Sequence, residues 1–215
     1  MKTTNLLIFF LAIVFSIQAQ QDPKAKTLLD EAAVKIQSYQ TINADFSFVL
    51  QNKKANINET QQGTVTLKGT KFRLDLGKTT QMFDGKTLWT WLKEQQEVHV
   101  SEPNFEQEGN VNPLNIVDSY QENFKYIYVG DLNEGGKKLG IIELVPKSLK
   151  KPFSKIKILI DKNTKLIQSS TTIYKNANWY VINIKNYQFN KPAADQNFTF
   201  NEKANPDVEV VDLRE

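Results

Sequence analysis

The chain has 215 residues, of which 40% are apolar and 24% charged, and its formal net charge is +3. This is ordinary globular composition, which excludes a disordered chain, and the charge is too small for a protein built to bind nucleic acid. Cysteine is absent and there is one histidine. That excludes disulfides, cysteine-ligated metals and thiol nucleophiles, and makes a Ser-His-Asp triad or a multi-histidine metal site hard to assemble. We therefore expect no metal site and no nucleophilic catalytic site.

The first residues have the pattern of an export signal. Lys2 precedes an apolar run from Leu6 to Ile17, and the small residue Ala19 stands at the expected cleavage site. The run is shorter than the ~20 residues of a membrane-spanning helix. We expect a signal peptide over residues 1–19, cleavage near Ala19 and one domain over residues 20–215. The mature protein would then lie in the periplasm if the cell has two membranes, and would be secreted otherwise. An uncleaved membrane anchor is the alternative interpretation of the same run.

An amphipathic helix begins the predicted domain. Asp22 and Pro23 form a favourable start, with aspartate as the N-cap and proline at the first helical position. The apolar residues that follow recur at the helical period, and they are Ala25, Leu28, Leu29, Ala32, Ile36 and Tyr39. Because the opposite face is charged, this helix must lie on an apolar surface.

From Ala44 the apolar period changes to two, which is typical of strands with one apolar and one solvated face. The strongest hairpin signal is Asp84-Gly85, and Pro113 opens a segment that fits a short helix. Strands are predicted at 44–50, 65–67, 72–76, 82–83, 88–92, 97–100, 125–129, 141–145, 156–160, 166–173, 180–187 and 198–200. We expect one sheet of about ten strands, with one long helix and one or two short ones.

A sheet of this size curls toward a barrel, and its interior is either a filled core or a ligand cavity. The large apolar side chains of the predicted strands are the candidates for its lining. They are Phe46, Phe48, Leu50, Val65, Leu67, Phe72, Leu74, Leu76, Met82, Trp89 and Trp91. The pattern alone leaves both interpretations open.

Few residues of the sequence point to chemistry. No phosphate-binding loop, nucleophile elbow or zinc-protease motif occurs; His99 fits the solvated face of a strand, and Asp84 fits its turn. A run of lysines fits either a solvated loop or a docking patch for an acidic partner or an anionic membrane. Its members are Lys147, Lys150, Lys151, Lys155 and Lys157.

The most diagnostic run of the chain is DGKTLW at residues 84–89. Other marked runs stand at 42–46, 63–67, 71–74, 112–117, 198–200 and 206–212. In this order and at these separations they resemble the LolA-type outer-membrane lipoprotein carriers over nearly the whole mature chain. The resemblance implies an α+β fold, namely an unclosed antiparallel β-barrel of about ten or eleven strands with helices covering its concave hydrophobic side.

The resemblance also implies a function. A periplasmic chaperone of this kind binds the acyl chains of lipoproteins in its cavity and carries them from an inner-membrane ABC transporter to the outer membrane, with or without a receptor there. It is not an enzyme, it needs no cofactor, and we expect a monomer. We take the lid over the cavity to consist of Leu28, Leu29, Ala32, Ile36, Leu114, Ile116 and Val117.

One departure from the family concerns release of cargo. Studied members carry a functional arginine that, counted from the shared Gly63, corresponds to Gly69 here, and Arg73 falls on the polar face by alternation. A latch between lid and sheet must therefore be built differently. Three other functions stay open: a LolA-like carrier of another lipid or glycolipid in envelope biogenesis, a sensor of mislocalised lipoproteins, and a hydrolase with a dispersed pair of carboxylates.

Overall fold

The computed structural model describes residues 22–103 and 119–214. The predicted signal peptide and the lid residues Leu114, Ile116 and Val117 lie outside these ranges. Helix α1 spans Pro23–Gln37, residues 119–123 are helical, and short 3-10 turns span Asp195–Phe198 and Glu202–Ala204. The strands are β1 Ile42–Asn52, β2 Ile57–Lys68, β3 Lys71–Asp75, β4 Thr79–Phe83, β5 Leu88–Leu92, β6 Glu97–Ser101, β7 Phe124–Glu134, β8 Lys137–Pro146, β9 Phe153–Asp161, β10 Ile167–Tyr174, β11 Trp179–Phe189 and β12 Glu209–Asp212.

All these strands belong to one 12-stranded curled sheet in the order β12-β6-β5-β4-β3-β2-β1-β11-β10-β9-β8-β7. The two terminal strands in this order are edges, so the sheet is unclosed, as predicted. The expected count of about ten or eleven strands is too low. Strand β12 was not predicted, and it runs parallel to β6, whereas the neighbours along the rest of the order are antiparallel.

The predicted strand at residues 198–200 is wrong. Phe198 closes the 3-10 turn Asp195–Phe198 and is fully buried. Its apolar character reflects packing on the sheet and not membership of it. No helix in the described ranges is long and apolar enough to cross a membrane.

Helix α1 forms as the sequence predicts. The Asp22 carboxylate accepts hydrogen bonds from the backbone N–H groups of Lys24 and Ala25, at 2.8 and 3.2 Å, which satisfies two free donors of the first turn. The apolar stripe from Ala25 to Ile36 is buried, with no member more than 8% exposed. Gly140 of β8 permits the close approach, since a Cβ there would lie 2.4 Å from Leu28 Cδ2.

The register of the strands defines two faces of the sheet. We call the face against α1 the inner face and the opposite one the outer face. On the inner face, the helix packs on completely buried side chains of β8, β9 and β10: Ile142, Leu144, Ile156, Ile158, Ile160 and Ile167. The outer face has a smaller core of its own, where Met82, Val98 and Phe198 are at most 2% exposed.

Candidate functional site

Seven of the predicted cavity residues share the inner face. Directly paired residues of neighbouring strands project to the same side of a sheet, and Ala44 pairs with Val65, which pairs with Leu74. Ala44 belongs to the same core as α1. The seven are Phe46, Phe48, Leu50, Val65, Leu67, Phe72 and Leu74. Leu76 lies one residue beyond the end of β3 and is half-buried.

The structure does not bring Met82, Trp89 and Trp91 to this face, which corrects their assignment. Met82 pairs with Arg73 and with Trp89, and Trp91 pairs with Thr80, so the three lie on the outer face. Strands β4 and β5 carry apolar residues at both odd and even positions. The alternation of apolar and polar residues therefore could not show which side chains face inward.

The inner positions of these two strands hold other side chains. Phe83 and Leu88 form a directly paired inner couple, and the Phe83 ring packs on that of Phe72 with centroids 5.4 Å apart. Only the pairing of β4 with β3 shows which alternate residues of β4 and β5 lie on the inner face.

The inner face is filled in one half and only partly covered in the other. Beneath α1 the branched side chains of β8 and β9 are fully buried. On β1 to β4 six apolar side chains of this face stay half-buried, and we call this set the inner strip: Phe48, Leu50, Val65, Phe72, Leu74 and Phe83. Apolar area left in water is worth ~25 cal/mol per Å² when covered, so this strip favours an apolar ligand.

A row of aromatic rings crosses the inner face and ends at the inner strip. Ring centroids lie 6.3 Å apart for Phe124 and Phe153, 6.0 Å for Phe153 and Tyr174, 4.8 Å for Tyr174 and Tyr180, and 5.6 Å for Tyr180 and Phe48. We call these five residues the aromatic row. Sequence patterns did not reveal it, because its members come from five strands and meet only through the sheet order.

The first-helix part of the predicted lid lies on the inner face. Leu28, Leu29, Ala32 and Ile36 are buried there. Polar contacts fix the perimeter of α1 to the sheet and to segment 119–123. The clearest are Tyr120 Oη donating to Asp30 at 2.6 Å, the Tyr128 N–H donating to Asp22 at 2.9 Å, and the ion pair of Lys165 with Glu31 at 2.6 Å.

The titration behaviour of these groups follows from their partners. The hydrogen bond from the Tyr128 backbone N–H is the main reason that the pKa of Asp22 lies below its ordinary value. Burial raises the pKa of Asp30, but hydrogen bonds from Lys26 and Tyr120 outweigh it, so the net shift is downward. Burial, and then the Asp30 carboxylate, raise the pKa of Tyr120, so its hydroxyl stays protonated and donates.

Neither position considered for the family arginine reaches α1. Gly69 occupies the two-residue turn between β2 and β3 with φ +57°, where a glycine is favoured. Arg73 lies on the outer face, and its guanidinium donates to the Asn197 carbonyl at 3.4 Å. Two hydrogen bonds to the Asp30 carboxylate join α1 to the helical segment 119–123 instead, one from Tyr120 Oη at 2.6 Å and one from Gln121 Nε2 at 3.2 Å.

The predicted lysine run divides in two. Lys147, Lys150 and Lys151 lie in the connection between β8 and β9. Lys155 and Lys157 lie on β9 itself beside Glu143, which Lys155 approaches to 2.8 Å and which Lys157 faces across the ladder. Glu143 therefore offsets one of these two charges on the sheet, and only the first three lysines belong to a loop.

Two grooves flank strands β1 and β2, and the lining of one of them includes Val65 of the inner strip. They have volumes of about 430 and 300 Å³ and share Asp45, Thr64 and Asn186 as lining residues. Within the described ranges no group of three histidine, aspartate or glutamate residues could hold a metal ion. Asp84 accepts the N–H groups of Lys86 and Thr87 and so acts in the turn, as predicted.

The model of a protein family described as outer membrane lipoprotein carrier protein LolA matches residues 15–138, more than half of the chain. An uncharacterized conserved protein from Thermus thermophilus has a similar structure, with a TM-score of 0.56 and 11% identity over 88% of this chain and 99% of that one. The lipoprotein LppX from Mycobacterium tuberculosis gives a TM-score of 0.51 and 9% identity over 80% and 98%. Both likenesses concern the fold. No curated protein matches the chain.

Proposed function

Because the chain belongs to the LolA family of outer membrane lipoprotein carrier proteins, we propose that it binds the acyl chains of lipoproteins and carries them across the periplasm. The observation that carries this proposal is the half-buried inner strip beside the helix-covered core. An apolar ligand on such a surface would contact the protein on one side and stay exposed on the other. A filled core would have buried it completely.

Partial burial suits a carrier better than a closed cavity does. Each buried CH₂ is worth ~0.8 kcal/mol, so a fully enclosed 16-carbon chain would be worth roughly 12 kcal/mol. Several such chains would hardly leave. Phe48, Phe72 and Leu74 of the inner strip are only half-buried, so the strip would cover one side of each acyl chain. The binding free energy would then stay small enough for the chain to dissociate.

In this proposal the lid competes with the cargo. The apolar stripe of α1 covers apolar surface in the empty protein, and acyl chains displace part of it. The bond from Tyr120 to Asp30 fastens the helix in place of the family arginine. The return of the lid then offsets part of the binding energy and favours release.

The rest of the pathway is proposed from the family alone. The cargo comes from an inner-membrane lipoprotein-releasing ABC transporter and goes to the outer membrane, where a receptor is a further candidate partner. The carrier acts as an exported, periplasmic monomer without enzymatic activity or cofactor. The predicted signal peptide over residues 1–19 would direct this export.

Photo-cross-linking at matched positions tests the proposal. A photoreactive amino acid at Val65 or Leu74 faces the inner strip, whereas one at Thr64 or Arg73, one residue earlier in the same strand, faces outward. We expect acylated lipoproteins to be captured at the inner positions in intact cells and not at the outer ones. Equal capture at the inner and outer positions, or no capture at the inner positions, contradicts the proposal.

A second candidate is a carrier of another lipid or glycolipid. The observation that favours it is Gly69, which places a side-chain-free turn where the family has a functional arginine. Native mass spectrometry of the protein purified without detergent from its own periplasm separates the two. Acylated lipoproteins support the first function, and a glycolipid or phospholipid supports the second.

A further inference from the structure

One end of the sheet is basic. Three connections meet there: residues 53–56 between β1 and β2, 147–152 between β8 and β9, and 175–178 between β10 and β11. Register places them side by side, because Gln51 pairs with Trp179, Trp179 with Ile173, and Ile173 with Lys155. Their lysines form what we call the basic rim: Lys53, Lys54, Lys147, Lys150, Lys151 and Lys175.

The three connections hold no acidic residue. The adjoining helical segment 119–123 contributes one, the exposed Glu122. Six lysines against one glutamate give this end a local positive field that the net charge of +3 does not reveal. The sequence run pointed to only half of the rim, since Lys53, Lys54 and Lys175 join it through the topology.

An apolar side chain projects from the middle of the rim. Leu149 is 89% exposed, more than any other large apolar side chain of the described ranges. Its connection is held firmly: Lys175 Nζ donates to the Leu149 carbonyl at 2.6 Å, and the Lys175 N–H donates to the Pro152 carbonyl at 3.0 Å. Phe153, which follows, is 2% exposed. Leu149 is therefore presented to solvent by an anchored loop.

A second amphipathic group lies at the same end. Trp179 begins β11 and is 40% exposed, on the outer face of the sheet. Tryptophan is enriched where a protein meets the interface of a membrane, because its ring is apolar and its N–H is polar.

We propose that the basic rim docks on the surface of an anionic phospholipid bilayer, with Leu149 entering the interfacial layer between headgroups and acyl chains. Each lysine near such a surface is attracted to the negative headgroups. One inserted apolar side chain adds binding free energy because its apolar area leaves water. Lysine stems also bury along the interface while their charges stay in water.

The same chemistry fits an acidic protein less well. Stable protein interfaces have a core enriched in aromatic residues and arginine, and lysine is depleted there. The rim offers one leucine, one half-exposed tryptophan and six lysines, without an arginine. That composition matches a charged, fluid surface better than a packed partner.

The docking site also borders the aromatic row. Phe153 directly follows the Leu149 connection, and Tyr174 directly precedes Lys175. An acyl chain leaving the bilayer at the rim would meet these rings first and then Phe48 of the inner strip. The transfer of an acyl chain at the rim rests on the proposed carrier function. Docking of the rim on the bilayer does not.

The test uses purified mature protein and vesicles without lipoprotein, so its outcome is independent of the cross-linking experiment. Vesicles of phosphatidylglycerol mixed with phosphatidylcholine should sediment with the protein, and pure phosphatidylcholine vesicles should not. Lys150→Gln with Lys151→Gln should weaken binding at least tenfold, about fivefold per lysine. Lys137→Gln with Lys138→Gln, in strand β8 at the opposite end, is the matched control and should leave binding unchanged.

Insertion is measured at Leu149 itself. Because the chain has no cysteine, Leu149→Cys carries one environment-sensitive dye, and Leu213→Cys is the control at another exposed leucine. Only the dye at 149 should shift to the blue on anionic vesicles and be quenched by lipids brominated near the headgroup. Absence of vesicle binding, binding that the Lys150 and Lys151 changes leave intact, or an equal response at 213 overturns the proposal.

Discussion

The Tyr120 hydroxyl donates a 2.6 Å hydrogen bond to the Asp30 carboxylate, and this bond joins α1 to the helical segment 119–123. Tyr120 is 2% exposed, and its ring meets that of Tyr126 edge-on with centroids 5.0 Å apart. Asp30 is held from its other side by Lys26 at 2.5 Å. The bond therefore links the helix that covers the inner face to a segment anchored in the core.

Tyr120→Phe should loosen this link without changing the fold. The ring keeps its packing, and the loss of one hydrogen bond to a charged group costs about 1.5–3 kcal/mol. We expect faster amide exchange in the first turns of α1 and tighter binding of an apolar fluorescent probe to the inner face.

Tyr128→Phe is the control for this change. Its hydroxyl also bonds an aspartate, Asp131, but on the far part of β7, so it removes a similar bond without touching the link to segment 119–123. An equal increase in probe binding by both variants would show that Asp30 and Tyr120 have no special role.

The attachment of α1 should also depend on pH. Asp22 caps the helix and accepts the Tyr128 N–H, and its folded pKa lies below the ordinary 3.8. Its contribution to stability is therefore full above that pH and is lost as the pH falls through the lowered folded value. Asp22→Asn keeps one capping oxygen but turns an amide NH2 group toward the Tyr128 N–H, so it should cost about 1–3 kcal/mol at neutral pH. Its unfolding midpoint should approach that of the wild type in acid. A difference between the two proteins that does not change with pH would contradict this account.

Features that depend on neighbouring residues could be predicted from the sequence, and features that depend on distant ones could not. The N-cap at Asp22 and the turn at Asp84 were correct because each involves residues within one turn. The outer orientation of Met82 was missed because β4 is apolar at both parities. The apolar outer side of β4 is tolerated only because the C-terminal segment covers it. The hydrogen bond from Arg73 to Asn197, 124 residues away in the chain, illustrates this contact.

The outer core should stabilise the sheet and leave the inner face unchanged. Phe198→Ala removes a fully buried ring beside β3 and β4 and should lower the free energy of unfolding by about 3–5 kcal/mol. Phe200→Ala, which removes a half-buried ring whose centroid lies 5.5 Å from that of Trp91, should cost less. Urea unfolding measures both. Cross-linking at Val65 should persist in each folded variant, and its loss would show that the outer core also shapes the inner strip.

Two glycines on the inner face should respond very differently to an added methyl group. At Gly63 a Cβ would lie 2.6 Å from the Phe46 ring and 2.7 Å from the Asp75 carbonyl oxygen, whereas at Gly140 the nearest atom, at 2.4 Å, is the tip of Leu28. A backbone carbonyl in a sheet cannot move aside, but a leucine tip can rotate.

Gly63→Ala should therefore cost about 3 kcal/mol and Gly140→Ala about 1 kcal/mol. Leu28→Ala combined with Gly140→Ala should cost less than the sum of the two single changes, since the shorter side chain makes room for the methyl group. Urea unfolding of the four variants measures these terms. Strict additivity at Leu28 and Gly140 would show that α1 does not rest on β8 as closely as the structure has it.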